Sequence, residues 1–193
     1  EDVERAARLV ASAKVNVIVF ACTSGSFVGG PKHPDIIAQR VKEAVGIPFV
    51  SASAAVLKAI QRLGLTKVSV TTPYLANVHQ KAIELLEGYG IRVVNATRLD
   101  ICRSGKDSVS HPTTAFDLFP SSAYMMARLA DRPDAEGIFI SCTGWRTIEI
   151  IARLEEDVNK PIVTSNQASM WAALRQAGVK ESIKGFGRLL ERY

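Results

Sequence analysis

Residues 15–30 read VNVIVFACTSGSFVGG, and this stretch decides the fold class. Residues 15–20 are apolar apart from Asn16 and rich in β-branched side chains, a pattern typical of a strand buried on both faces of a parallel sheet. Cys22, Thr23 and Ser24 follow directly, and then Gly25. Ligands of open α/β sheets bind at the carboxyl ends of the strands. The stretch therefore predicts a buried strand with a polar, thiol-bearing site at its end.

The same construction occurs a second time in the chain. Residues 137–144 read GIFISCTG, an apolar strand that is again followed by Cys142, Thr143 and a small residue. Further along each copy, PFVSASAA at 48–55 corresponds to PIVTSNQA at 161–168, and each segment leads into a helical pattern. We interpret the repeat as an internal duplication that puts one cysteine at the end of a strand in each of two similar halves.

The order of the predicted elements indicates the fold class. Apolar strands alternate with amphipathic helices along the chain, which is typical of a parallel sheet with right-handed crossovers. The pattern predicts a glycine-containing loop after Ser24, a helix at 53–63 with Ser53 as its N-cap, and helices at 146–158 and 182–192. We therefore expect an α/β fold of two similar Rossmann-like lobes with the active site between them. The predicted first lobe consists of residues 1–64 and 165–193, and the second of residues 65–164. Since a crossover helix normally follows a strand, the helix predicted at 3–13 leads us to expect further strands ahead of Glu1.

Composition narrows the functional classes. The 193 residues are 47% hydrophobic and 22% charged, which is ordinary for a globular protein in water. No apolar run approaches the roughly 18 residues of a membrane span, so we expect no membrane partner. The net charge of +5 comes from scattered basic residues without interleaved aromatics, which argues against nucleic acid as a partner. Three widely spaced cysteines do not suit a disulfide framework and indicate a reducing, cytoplasmic location.

Cys22 and Cys142 are the candidates for chemistry. A single buried cysteine is usually an inert core thiol, but a cysteine at the strand end of both copies favours function. Two facing thiols suit a reaction in which one thiolate attacks or deprotonates a substrate carbon while the other thiol donates a proton from the opposite side. We also expect each thiol to lie near the N–H groups at a helix start. Such a reaction needs no cofactor, and we expect none.

Metal and nucleotide sites are not indicated. The two cysteines belong to no CxxC motif, and the histidines lack ligand spacing, so zinc is not expected. The glycines at 25, 29 and 30 do not form the GxGxxG motif of dinucleotide sites.

Hydroxyl side chains accompany both cysteines. Thr23, Ser24 and Thr143, with nearby backbone N–H groups, could hold a substrate carboxylate, and helix capping is the alternative use. Tyr74 follows Thr-Thr-Pro at the end of a predicted strand, where its hydroxyl either reaches the same site or is the wet tip of a packing residue. Asn166 closes another strand, and the simplest interpretation is a cap of the next helix.

These motifs together resemble a known family. The segments ACTSGSFVGG, TTPY, SCTGWRT and PIVTSNQASMWAALR are similar to the aspartate/glutamate racemase superfamily. Within it they are closest to the maleate cis-trans isomerase branch with its ectoine-utilisation relatives, and arylmalonate decarboxylase is a near neighbour. The resemblance runs in order from about residue 21 to 174 and so covers most of the chain. It implies two similar α/β lobes, in line with the repeat.

The resemblance also implies roles for individual residues. Cys22 matches the cysteine that adds to the substrate double bond in the isomerases and forms a succinyl-cysteine adduct, and Cys142 matches its acid/base partner. The decarboxylases typically keep only the second cysteine, with glycine at the first. The positions that hold substrate carboxylates correspond to Thr23, Ser24, Tyr74, Thr143 and Gly144.

This chain departs from the family in two respects. The family has one or two strands before the position of Glu1, and the loop at 97–112 lacks an asparagine that the isomerases have. The loop offers Ser104, Lys106 and Ser108 in its place.

The combined prediction is an enzyme, a cofactor-independent isomerase that converts a small dicarboxylate such as maleate to fumarate. The first alternative is an amino-acid racemase, which would use the same two thiols for proton transfer at Cα. An arylmalonate-type decarboxylase and a non-catalytic metabolite-binding protein are the others. We further expect a homo-oligomer.

Overall fold

The computed structural model describes residues 2–102 and 115–193, which form parallel strands connected by helices. The strands are β1 (Ile18–Phe20), β2 (Phe49–Ser51), β3 (Lys67–Tyr74), β4 (Arg92–Cys102), β5 (Gly137–Ile140) and β6 (Ile162–Thr164). The helices are α1 (Asp2–Ala11), α2 (Thr23–Phe27), α3 (His33–Val45), α4 (Ala52–Arg62), α5 (Ala76–Gly88), α6 (Pro120–Ala130), α7 (Ile151–Val158), α8 (Ser165–Gln176) and α9 (Arg188–Arg192). No helix in this part of the chain is long and apolar enough to cross a membrane.

The strands form two parallel sheets. The first contains β1 and β2, and the second has the order β4-β3-β5-β6. Every strand pair is parallel, with Ile18 opposite Phe49 in the first sheet and Val70 opposite Phe139 in the second. The mixed α/β class with parallel sheets is therefore confirmed. Parallel order places the strand ends before Cys22 and Cys142 at the carboxyl edge of their respective sheets.

The core follows from the burial of the central strands. In β3 every residue after Lys67 is buried, and β5 and β6 are buried throughout. Because successive residues of a strand point to opposite faces, both faces of these strands are buried, which explains their continuous apolar sequence. A smaller cluster around Ile18, Ile37 and Val41 joins α1 and α3 to β1.

Two corresponding helices of the sequence repeat pack on each other. Helix α4 follows β2 in the first copy and α8 follows β6 in the second, and the two helices are in extensive contact. Helix α8 also contacts β1 and β2. This packing supports the proposal that residues 165–193 belong with residues 1–64, and the lobe boundaries remain a prediction.

Several elements differ from the prediction. Residues 23–27 form helix α2, where the sequence predicts only a glycine-containing loop. The helix predicted at 146–158 starts later, with a short 3-10 turn at Ile148–Ile150 before α7. Ser51, and not Ser53, caps α4 through a hydrogen bond from the N–H of Ala54. The irregular segment predicted at 97–112 begins as strand, because residues 97–102 continue β4 beside β3.

The predicted final helix at 182–192 is reduced to α9. Gly187, just before α9, has a φ of 84°, which a residue with a side chain adopts only with strain. A Cβ at this position would lie 2.5 Å from Cγ2 of Ile151. Glycine therefore lets the chain turn and approach α7 closely, and the turn interrupts the predicted helix.

Buried Glu155 and Gln167 anchor this turn. The carboxylate of Glu155 accepts hydrogen bonds from the N–H groups of Ile162 (2.9 Å) and Arg188 (2.8 Å), and burial raises its pKa. The amide of Gln167 donates to the carbonyl of Phe186 at 2.6 Å. These contacts tie the last residues of the chain to α7, β6 and α8.

Candidate active site

Cys22 lies in the short connection between β1 and α2. It is the N-cap residue of α2, with extended backbone angles, and it is partly buried. A Cβ at Gly25 would lie 2.9 Å from the Cys22 sulfur, so glycine is what leaves room for the thiol over the helix. The expectation of a thiol beside a helix start is confirmed for this cysteine.

The neighbours of Cys22 are held by the first turn of α2. Thr23 is buried, and its hydroxyl has no hydrogen-bond partner among the described residues. Its carbonyl accepts a bond from the Ser26 hydroxyl at 2.7 Å, and the Ser26 oxygen accepts one from the N–H of Ser53 at 3.2 Å. Ser24 is half-buried. The turn is thus fixed to α4, and the Thr23 hydroxyl remains available for another partner.

Cys142 has a different backbone environment. It is buried, follows β5 by two residues, and has a φ of 107°. Its N–H donates to the Ser165 hydroxyl at 3.1 Å, at the start of α8. The next helical turn along the chain begins only at Ile148, so the helix start beside Cys142 is that of α8, which comes from another segment. A turn closed by the N–H of Trp145 on the Cys142 carbonyl separates Cys142 from Ile148.

Tyr74 contacts the segment that carries Cys142. The β3–β4 register shifts between Thr72 and Tyr74, at the end of β3, and Tyr74 is almost fully buried. The hydroxyl of Ser141 donates to the Tyr74 hydroxyl oxygen at 3.3 Å. Its ring packs edge-on against Phe27 in the core. The structure therefore shows Tyr74 as a packing residue, and its use in the site remains a prediction.

A hydrogen bond connects the two cysteine segments. The Thr143 hydroxyl donates to the carbonyl of Ala21 at 2.8 Å. Ala21 precedes Cys22 and Thr143 follows Cys142. The ends of β1 and β5, which belong to different sheets, therefore meet, and the structure brings together the two segments that the sequence repeat singles out.

Asn166 has a role that the sequence did not indicate. Its amide donates to the carbonyls of Thr143 (3.1 Å) and Trp145 (3.2 Å), so it holds the loop after Cys142. The helix cap predicted for it is supplied by Thr164, which forms a capping box with Gln167. The interpretation of Asn166 as a cap is therefore wrong. The correspondence of PIVTSNQA with PFVSASAA would have located the cap, because Ser51 and Thr164 occupy equivalent positions.

The loop after Cys142 is also packed from the other side. Trp145 is fully buried and its indole N–H donates to the Ser122 hydroxyl at 3.0 Å. A Cβ at Gly144 would lie 3.3 Å from the Cβ of Ala115 and from the ring of Phe116. Gly144, predicted to bind substrate, thus also allows close packing. Ser165, Ser141 and Ser122 were not singled out from the sequence.

The described part of the site consists of thiols, hydroxyls and backbone groups. Within residues 2–102 and 115–193 there is no cluster of three or more His, Cys, Asp or Glu that could hold a metal ion. The candidates Ser104, Lys106 and Ser108 lie outside the described residues. The roles assigned to Cys22, Cys142 and the five substrate-binding positions remain predictions, supported by their proximity.

With this fold and these segments, the chain belongs to the arylmalonate decarboxylase family, whose model matches residues 1–190. It is 28% identical to the arylmalonate decarboxylase of Bordetella bronchiseptica, in an alignment that covers 99% of this chain and 78% of that protein. It is 24% identical to the maleate isomerase of Nocardia farcinica, covering 97% and 74%. The family resemblance inferred from the motifs is confirmed.

Solved structures of both kinds of enzyme have the same fold. A crystal structure of arylmalonate decarboxylase superimposes with a TM-score of 0.85 at 25% identity, covering 99% of this chain and 81% of that one. The maleate cis-trans isomerase of Nocardia farcinica, in a cysteine-to-serine variant with a covalently bound succinylcysteine intermediate, gives 0.89 at 20% identity, covering 98% and 77%. These named relatives are enzymes of two different reaction classes.

Proposed function

We propose that this protein is a cofactor-independent cis-trans isomerase of a small dicarboxylate, of the maleate-to-fumarate type. The observation that carries the proposal is the hydrogen bond from Thr143 to the Ala21 carbonyl, which brings the segments of Cys22 and Cys142 together. A reaction that needs one thiol as nucleophile and another as acid requires this meeting of two strand ends.

The proposed reaction uses the two sulfurs in sequence. The Cys22 thiolate forms a bond to one alkene carbon of maleate, the π electrons move to the other carbon, and the Cys142 thiol gives that carbon a proton. The resulting succinyl adduct has a single bond between these carbons and can rotate. Cys142 thiolate then removes the proton, the carbon–sulfur bond breaks, and the double bond re-forms in the trans geometry. No electrons are gained or lost overall.

Hydroxyl groups are proposed to hold the carboxylates of the substrate. The Thr23 hydroxyl, in the residue after Cys22, is buried and has no hydrogen-bond partner among the described residues, so we take it as a candidate donor. The Tyr74 hydroxyl contacts Ser141, the residue before Cys142. Thr143 and Gly144 would contribute backbone N–H groups, because the Thr143 hydroxyl proton is donated to Ala21. Ser24 follows Thr23 in the first turn of α2. Such donors pre-positioned around a charged substrate lower the barrier without rearranging during the reaction.

The comparisons support two-cysteine chemistry and leave a second candidate. The covalent succinylcysteine seen in the isomerase of Nocardia farcinica is the kind of adduct proposed for Cys22. Arylmalonate-type decarboxylation is the second candidate, because the family model and the relative at 28% identity carry that name. In that reaction one carboxylate would leave as CO2, and Cys142 would protonate the carbon that keeps the electron pair.

Proton NMR in deuterated buffer distinguishes these reactions. The protein is incubated with maleate, with phenylmalonate, and with aspartate or glutamate, beside the Cys22→Ala and Cys142→Ala variants. We expect conversion of maleate to fumarate that is lost in both variants. In the Cys142→Ala protein, where water must supply the proton that Cys142 would give, we expect a mass increase of one maleate on Cys22. Both variants should unfold at urea concentrations close to that of the wild type.

Each other outcome contradicts the proposal in a specific way. Release of CO2 from phenylmalonate that survives in Cys22→Ala indicates the decarboxylase. Deuterium at Cα of aspartate or glutamate without change in maleate indicates the racemase. Turnover of maleate that persists in Cys22→Ala would show that this thiol is not the nucleophile.

A further inference from the structure

A buried histidine, His79, is linked to Tyr74 through the side chain of Thr72. His79 is in the first turn of α5 and is only 6% exposed. Its Nδ1 lies 2.9 Å from the Thr72 hydroxyl oxygen, and this oxygen accepts a hydrogen bond from the N–H of Tyr74 at 3.3 Å. The imidazole is therefore connected through one side chain to the backbone of a predicted substrate-binding residue.

The connection is made where the sheet is irregular. The pairing of β3 with β4 shifts register between Thr72 and Tyr74, and the residue between them, Pro73, has no N–H group. The Tyr74 N–H donates to the Thr72 side chain. Irregularities of this kind re-aim a side chain near a site. At this register shift, the Tyr74 N–H is bound by the Thr72 hydroxyl, so the position of that hydroxyl influences the orientation of Tyr74.

The protonation state of His79 bears on the direction of the Thr72 hydroxyl. Burial lowers the pKa of His79 and the nearby Arg98 lowers it further, while Asp100 opposes both. The imidazole is therefore neutral at neutral pH and has one acceptor nitrogen. In the tautomer with its proton on Nε2, Nδ1 accepts the Thr72 hydroxyl proton. The Thr72 oxygen then keeps its lone pairs for the Tyr74 N–H.

We propose that His79 is a positioning residue, which acts through Thr72 to aim Tyr74 at the substrate carboxylate beside Cys142. The inference rests on the proposed role of Tyr74 in substrate binding. Tyr74 extends this series of hydrogen bonds to the Cys142 segment, because its hydroxyl oxygen accepts a bond from Ser141, the residue before Cys142. A series of hydrogen bonds between uncharged groups therefore runs from α5 to the predicted site.

The test uses two matched pairs of variants. His79→Asn keeps an acceptor near the position of Nδ1, whereas His79→Leu removes it. Thr72→Ser keeps the hydroxyl, whereas Thr72→Val removes it. We expect His79→Leu and Thr72→Val to raise KM for maleate about tenfold, the equivalent of one lost buried hydrogen bond, with a smaller change in kcat. His79→Asn and Thr72→Ser should stay within about threefold of the wild type.

A double variant separates positioning from mere stability. If His79 acts through Tyr74, combining His79→Leu with Tyr74→Phe should raise KM hardly more than the larger single change. Multiplied effects on KM, or a fall in thermal stability with unchanged KM in His79→Leu, would instead show a purely structural histidine and overturn the inference.

Hydrogen exchange gives a readout that is independent of activity. We expect the Tyr74 amide to exchange about tenfold faster in His79→Leu and Thr72→Val than in His79→Asn and Thr72→Ser. An unchanged Tyr74 amide in the first two variants would overturn the link even if the protein isomerises maleate. Altered exchange in a protein that does not turn over maleate would overturn the proposed function and the role of Tyr74 in it, and would confirm the link alone.

Discussion

The backbone of Cys142 is held in a conformation that costs energy for any residue with a Cβ. Its φ of 107° lies in the region that glycine adopts readily. Such strain is maintained where surrounding contacts fix the chain, and it concentrates at functional sites. Here the contacts are the bond from its N–H to Ser165 and the loop held by Asn166. The strain is a reason to expect that the thiol is needed where it stands.

This strain predicts an unusual order of stability among variants at one position. Cys142→Gly should be more stable than Cys142→Ala by about 1 kcal/mol, since relief of backbone strain exceeds the entropic cost of glycine. Urea unfolding of both proteins measures the difference. Both variants should be inactive, because neither has the thiol.

Cys22 provides the matched control for that prediction. Its φ of −134° is ordinary for any residue, so Cys22→Gly should be less stable than Cys22→Ala. If the glycine variant were the less stable of the two at both positions, the assignment of strain to Cys142 would be contradicted.

At the scale of elements, Glu155 connects α7 to β6 and to the turn before α9. Burial raises its pKa above the ordinary 4.5, against the lowering effect of the N–H groups of Ile162 and Arg188. The contribution of such a carboxyl to stability is complete when it is protonated in both states, below pH 4.5. It is lost as pH rises through the higher pKa of the folded state.

The prediction is a pH-dependent difference between the wild type and Glu155→Gln. The wild type should lose stability relative to this variant as pH rises from below 4.5 towards neutrality, measured as urea midpoints over a pH series. Glu136→Gln is the control of opposite sign, because bonds from the N–H groups of Thr66 and Lys67 lower the pKa of Glu136. The stabilising effect of the Glu136 carboxylate in the wild type should be lost as pH falls. Parallel curves for Glu155→Gln and the wild type would contradict the prediction.

Elements with a strong apolar pattern could be predicted from the sequence, and those set by tertiary contacts could not. Strands β3, β5 and β6 are buried on both faces, so their composition alone identifies them. Helix α2 contains Gly25 and has only five residues, and it is fixed by Ser26 on α4, a contact that no local pattern reveals.

The same distinction holds within the candidate site. Cys22, Cys142 and Tyr74 could be found because strand ends carry function in parallel sheets and because the motif repeats. The roles of Asn166 and His79 depend on partners in other segments, namely the carbonyls of the Cys142 loop and the hydroxyl of Thr72. Such partners are known only once the chain is folded.

At the scale of the whole molecule, two sheets meet at their carboxyl edges. The bond from Thr143 to the Ala21 carbonyl joins them beside both cysteines. Both partners are accessible to water to some extent, so losing the bond should cost only about 0.5–1 kcal/mol of stability. Its effect on the separation of the two thiols should be larger than its effect on folding.

Chemical cross-linking tests that separation directly. We expect a short bifunctional thiol reagent to bridge Cys22 and Cys142 more slowly in Thr143→Val than in the wild type, and Thr143→Ser to behave like the wild type. The experiment uses a Cys102→Ser background, which leaves two of the three cysteines. Equal rates in the valine and serine variants would show that the hydroxyl does not hold the segments together.

The burial of Trp145 has a practical consequence for watching this protein at work. Trp145 and Trp171 are its two tryptophans, and Trp145 lies three residues after Cys142 with its indole N–H on Ser122. Replacing Trp171 by phenylalanine leaves Trp145 as the one tryptophan, within the loop that carries the second thiol. The wavelength of its emission maximum and its fluorescence lifetime then report changes around that loop in real time, without any added label.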